Sequence, residues 1–138
     1  MSSDVQGRCS AIEECYEFML AYAAQGLPSD VGSATGGQIR EYLERAVAAA
    51  AGLAQALAVA VKQESLEPAN RYHAFFQVVA RDANDSIAAI QLVLAQAIIS
   101  SQLIDNLNAS IHLRALLTDL FLVSEILKTQ PTPAKPVG

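Results

Sequence analysis

Two histidines, two cysteines and a few clustered acids are the side chains in this sequence that could take part in chemistry. A di-metal carboxylate site built inside helices needs a Glu-x-x-His pair, which sets both ligands on one helical face. Asn70 stands three before His73 and Ala109 three before His112, so neither histidine has that acidic partner. Glu13, Glu14 and Glu17 are helical neighbours but have no histidine close in sequence, and they read as a solvated face. A nucleophile needs a base within hydrogen-bonding reach, and no serine, cysteine or acid lies in a recognisable arrangement with either histidine. The expectation is a protein that is not an enzyme and that carries no cofactor and no metal.

Cys9 and Cys15, spaced by six, project about 120 degrees apart on a helix, which argues against their pairing with each other. They read as free thiols packed in a reducing cytoplasm. The first eight residues are polar and charged, with no apolar stretch of the kind a secretory signal needs. Gly32, Gly36 and Gly37 precede a helix as phosphate-binding glycines do, but Gln38 stands where a lysine would follow, and the segment reads as a linker. The segment Asn108-Ala109-Ser110-Ile111-His112-Leu113-Arg114 resembles histidine phosphotransfer bundles in placing a histidine on a helix of a domain this size. Those bundles carry a lysine three residues later and then a glycine, where this chain has Ala115 and Leu116. Phosphoryl acceptance at His112 is thus a remote alternative. Arg40 with Glu44 and Glu41 with Arg45 have ion-pair spacing, while His73, Gln77 and Arg81 share a polar face.

The elements that must position these residues are helices. Half the chain is apolar, its net charge is −5, and no alternating strand pattern runs for more than a few residues. With 138 residues it is long enough to bury a core without a disulfide or metal. Only nine lysines and arginines are present, spread along the chain, which speaks against nucleic acid as a partner. The uncharged run 86–104 contains Gln91, Gln96, Gln102, Ser100 and Ser101 and is flanked by Asp82, Asp85 and Asp105. It reads as a buried helix, with no membrane span.

The first helix is expected from Ser3 or Ser10 to Gln25, with Ile12, Cys15, Tyr16, Met19, Tyr22 and Ala23 as its apolar stripe. A loop follows over residues 26–37. An alanine-rich second helix, capped by Thr35, carries Ile39, Leu43, Val47, Ala50, Leu53, Leu57 and Val61 to about Gln63. Its small side chains allow a neighbouring helix to come close, which suits a bundle centre or a two-fold axis.

Glu67 and Pro68 open the next helix. No glycine or proline occurs from Ala69 to Lys128, yet an unbroken helix of that length would span about 90 Å. A compact domain of this size has a radius of gyration of about 14 Å, so the segment must break. The side-chain oxygens of Ser100, Ser101, Asp105, Asn106 and Asn108 place that break at residues 100–108. Helix three then carries Tyr72, Phe75, Phe76, Val79, Ile87, Ile90, Leu94 and Ile98, and helix four Ile111, Leu113, Leu116, Leu117, Leu120, Phe121 and Leu127.

The expected architecture is all-α: an up-down four-helix bundle over residues 1–128, with a long crossover through residues 26–37 as its variant, and a disordered proline-rich tail at 129–138. The expected function is a cytoplasmic, non-enzymatic interaction or accessory module that forms a homodimer through uncharged helix faces. Its interface would draw on Val47, Ala50, Leu53, Ala54, Leu57, Ile90, Leu94 and Ile98. Asn106, Asn108 and His112 form the candidate functional surface. The alternative is a small-molecule-binding bundle with an apolar pocket lined by Tyr16, Phe18, Tyr22, Tyr72, Phe75 and Phe76.

Overall fold

The computed structural model describes residues 3–130, and the expectation for the tail from residue 131 onward lies outside the described residues. The described chain is all-helical. Helix α1 spans Ser3–Ala24, α2 Ala34–Ala51, α3 Leu53–Gln63, α4 Ala69–Leu94, α5 Ser101–Ala109 and α6 His112–Lys128. The four expected helices are thus six, because two of the segments bend. The second breaks at Gly52, where α2 and α3 meet at 45°. The long final segment breaks twice, at residues 95–100 and at Ser110–Ile111, so that α5 occupies most of the stretch expected to be the break. No single described helix is long and apolar enough to cross a membrane; the bent α2–α3 pair has the length and composition. Its stripe from Ile39 to Val61 is buried inside the chain, apart from the half-buried Val47.

Helix α1 packs on α2 and α5, α3 on α4, and α4 on both α2 and α6. The core follows helical periodicity. Val5, Cys9, Ile12, Cys15, Met19 and Tyr22 line the inner face of α1, and Leu113, Leu116, Leu117, Leu120, Val123 and Leu127 that of α6. Each fully buried Ile or Leu on these stripes contributes about 1.5–3 kcal/mol. Three expected stripe residues depart from the pattern. Ile98 falls in the α4–α5 connection, Ile111 in the turn before α6, and Phe121 on the outer side of α6; all three are more than half exposed.

Helix α2 begins one residue earlier than expected. Its cap is Ser33, whose hydroxyl accepts from the Gly36 N–H at 2.9 Å, while Thr35 instead donates to the Gln25 side-chain carbonyl. The end of α2 is held from α1: the Arg8 guanidinium donates to the Ala48 and Ala49 carbonyls at 3.2 and 3.1 Å. It lies so close over Gly52 that a side chain there would meet it at 2.9 Å.

A polar clasp closes the opposite end. Arg40 on α2 pairs with Asp30 at 2.8 Å and donates to the Leu94, Gln96 and Ala97 carbonyls, satisfying acceptors left open by the end of α4. The ion pair expected between Arg40 and Glu44 is therefore replaced, since Asp30 and three carbonyls engage the guanidinium in a setting drier than the helix surface. Asp30 accepts from the Ile99 N–H at 2.8 Å, and the Tyr22 hydroxyl donates to the Ile99 carbonyl at 2.6 Å. The Ser101 hydroxyl donates to the Tyr22 carbonyl and accepts from the Leu27 N–H. The Gln96 and Ala97 carbonyls and both backbone groups of Ile99 in the 95–100 break are thus engaged from α1, α2 and the loop joining them.

Candidate functional site

Helices α4 and α6 pack antiparallel, because Tyr72 near the start of α4 lines a groove with Ile126 near the end of α6, while Asp82 meets Asp119 further along. At one end of this seam a cavity of about 260 Å³ is lined by Pro68, Arg71, Tyr72, Phe75, Phe76, Leu122, Val123 and Ile126. Apart from Arg71, its lining is apolar or aromatic. Leu122, in the wall of this groove, is 50 % exposed, whereas Phe121, 58 % exposed, lies on a neighbouring surface with Gln6, Glu13, Ser124, Glu125 and Lys128. Isolated exposed leucines are ordinary; an exposed leucine in the wall of an open, apolar-lined groove is the feature associated with interaction surfaces.

Two turns along the same seam, the carboxyl groups of Asp82 and Asp119 are close enough to act on one another. Burial first, and then the neighbouring Asp82, raise Asp119 to about 7. Its Oδ2 is buried and has no hydrogen-bond partner. Neither residue stood out in the sequence, although one signal was available: Asp119 lies between Leu116 and Val123 on the apolar stripe of α6, where a solvated acid has no place.

The residues expected at a dimer interface lie mostly within the chain itself. Ala50, Leu53, Leu57 and Ile90 are buried in its core, Val47, Ala54 and Leu94 are half-buried, and of this set only Ile98 is exposed. The candidate surface is dispersed in character. Asn106 is exposed and accepts from Gln102 at 3.2 Å; Asn108 is half-buried, with a buried Oδ1 that has no partner; His112 is exposed at the first residue of α6. The six aromatics expected around one pocket divide between two places. Phe18 stacks on Tyr42 at 4.3 Å beside Tyr22, whereas Tyr72, Phe75 and Phe76 line the α4–α6 groove. Tyr16 is half-buried on α1. A second, larger groove of about 740 Å³ runs between α3 and α4, with Ala54, Ala58, Val61, Leu66 and Phe76 in its walls and Lys62, His73 and Gln77 also lining it.

Both cysteines are free and buried, and burial pushes Cys9 up to about 11, with help from Glu13, and Cys15 up to about 12. Neither is a thiolate near neutral pH. Among the described residues, no group of three or more His, Cys, Asp or Glu side chains could hold a metal ion. No family model, curated protein or solved structure matches the chain.

Proposed function

We propose that this chain is a non-enzymatic helical interaction module whose partner is a second copy of itself, docked through the α4–α6 face. On this reading the fold is a bundle with four arms: α1, the bent α2–α3 pair, α4, and α5 with α6. The observation that supports the reading is the half-exposed Leu122 in the wall of a groove otherwise lined by Tyr72, Phe75 and Ile126. A two-fold interface requires one patch to be complementary to itself, and an apolar groove with an exposed leucine on its wall can receive the same leucine from a second copy. Arg71 lines the groove and Glu125 lies on the flanking surface of α6, which offers opposite charges for the rim. The two buried free thiols support a reducing, cytoplasmic setting.

Light scattering over a concentration series tests the proposal. A dimer is expected for the native chain, with Leu122→Asp weakening it by at least about tenfold through burial of an unpaired charge. A native chain that stays monomeric at high micromolar concentration overturns the reading.

The α3–α4 groove supports a second reading, a bundle that binds a small molecule, because its volume falls within the range of ligand sites and it combines apolar walls with a few polar groups. Thermal shift across a metabolite panel tests it, and no shift with any compound removes it.

A further inference from the structure

We propose that the groove between α4 and α6 is a polyproline-binding site whose occupant is the chain's own segment 131–138, laid back over it as an intramolecular strap. That segment carries Pro131, Pro133 and Pro136. Proline cannot continue a helix and locks its own φ, so three in eight residues favour the extended polyproline II form, which has no hydrogen bonds of its own.

Groove and segment match in chemistry. The Tyr72 and Phe76 rings stand 6.3 Å apart and are tilted by 53°, with Phe75 also in the wall. This is a cleft between aromatic faces, the surface on which proline-rich segments dock. Its polar side chains are the Arg71 guanidinium, which only donates, and the Tyr72 hydroxyl; among the described residues neither has a hydrogen-bond partner. A proline-rich segment is the complement, because every residue offers a carbonyl and the prolines offer no N–H. At about 260 Å³ the cavity also falls below the ~300–1,000 Å³ of most small-molecule sites.

The segment starts in the right place. Helix α6 ends at Lys128, half a turn beyond Ile126 in the groove wall, and Pro68 and Arg71 at the start of α4 lie at the same end of the seam. From Leu122 to Ile126 the groove runs about 6 Å along α6. Residues 131–136 in polyproline II form span about 19 Å, enough to turn back and cover it. So short a tether holds the segment at an effective concentration of about 1 mM, and weak binding then suffices to keep the strap closed. A closed strap competes with a second copy for the same groove, and this regulatory part rests on the dimer reading above.

The test compares amide NMR shifts of the native full-length chain with those of the full-length double variant Pro133→Gly, Pro136→Gly. Shifts at Tyr72, Phe75, Leu122 and Ile126 are expected to differ between the two at every concentration. A synthetic peptide of residues 131–138, titrated into the double variant, is expected to move the same resonances back with a Kd below about 1 mM. Tyr72→Phe, placed in the double variant, should weaken the peptide by about two- to tenfold through loss of one hydrogen bond.

Identical groove shifts in the native chain and the double variant, or no response to millimolar peptide, overturn the strap. Shifts that follow protein concentration but not the proline substitutions assign the groove to a second copy alone and also overturn it. Tail-dependent shifts that arise only on concentrating place the segment in the groove of another molecule, against closure within one chain. Tail-dependent shifts in a chain that light scattering finds monomeric throughout support the strap and sink the dimer reading.

Discussion

Arg40 and Asp30 meet at 2.8 Å, and both direct their remaining hydrogen bonds to the same piece of backbone, residues 94–99. The Asp30 side chain is only 9 % exposed and that of Arg40 32 %, so the pair works in a setting where a lost partner is felt. Arg40→Met removes the donors to three carbonyls and strands the carboxylate. A loss of about 2–3 kcal/mol in urea unfolding is expected, against less than about 0.5 kcal/mol for Arg45→Met on the exposed α2 surface.

The same carboxylate sets an acid limb. The Ile99 N–H and then the Arg40 guanidinium hold Asp30 below its ordinary value of 3.8. Its contribution is therefore complete above that value and is lost as pH falls towards the lower native one. In thermal melts at descending pH, Asp30→Asn should start less stable than the native chain and lose stability less steeply below pH 4. An unchanged acid limb contradicts this assignment.

Gly36 and Gly37 are adjacent in the first turn of α2, yet substitution should act in opposite directions. A Cβ on Gly36 would overlap the backbone of Asp30, so Gly36→Ala must displace the clasp loop and cost about 2 kcal/mol or more. Gly37 has open space around it, and Gly37→Ala should stabilise by about 0.5–1 kcal/mol through helix propensity and a less flexible unfolded chain. Denaturant midpoints of the two variants check the sign.

Ile111 precedes α6 with a φ of 67°, in the left-handed region that a β-branched residue rarely enters, and its side chain is 63 % exposed. Little packing is lost on its removal. Ile111→Gly should therefore raise stability by about 1 kcal/mol, read from urea unfolding.

Cys9 and Cys15 should resist iodoacetamide in the folded chain at pH 8 and react fully in denaturant. Burial both hides the sulfur atoms and keeps them protonated. Rapid labelling of either in the native state, seen by mass spectrometry, rules out the packing described for α1.

Helical periodicity made the all-α class and most of the core legible: the stripe from Ile39 to Val61 and the inner face of α1 are local patterns that burial preserved. The break after Leu94 was not legible at its true position. Residues 95–99 contain no glycine or proline, and although Gln96 donates locally to the Leu92 carbonyl, the groups that hold the break come from Tyr22, Asp30 and Arg40, far away in sequence. Ser100 was readable as a cap and serves as one for α5. The α4–α6 seam escaped for a related reason. Asp119 becomes notable only once Asp82 faces it, and Leu122 only once α6 is rotated by the packing of Leu120 and Val123.

The clasp also bears on how the chain is assembled. Tyr22 reaches its partner across 77 positions and Arg40 across 54, so these bonds cannot form until residues near 100 are present. A fragment ending before Gln96 would retain the apolar stripes of α1 and α2, yet leave Asp30 and the Tyr22 hydroxyl without the Ile99 backbone they engage. Closure of this end is therefore a late event for a chain emerging from its N-terminus. The loop between α1 and α2 has local bonds of its own, Arg40 to Asp30 and Thr35 to Gln25 among them, and its ties to the Ile99 and Ser101 backbone and side chain form only when the second half of the molecule arrives.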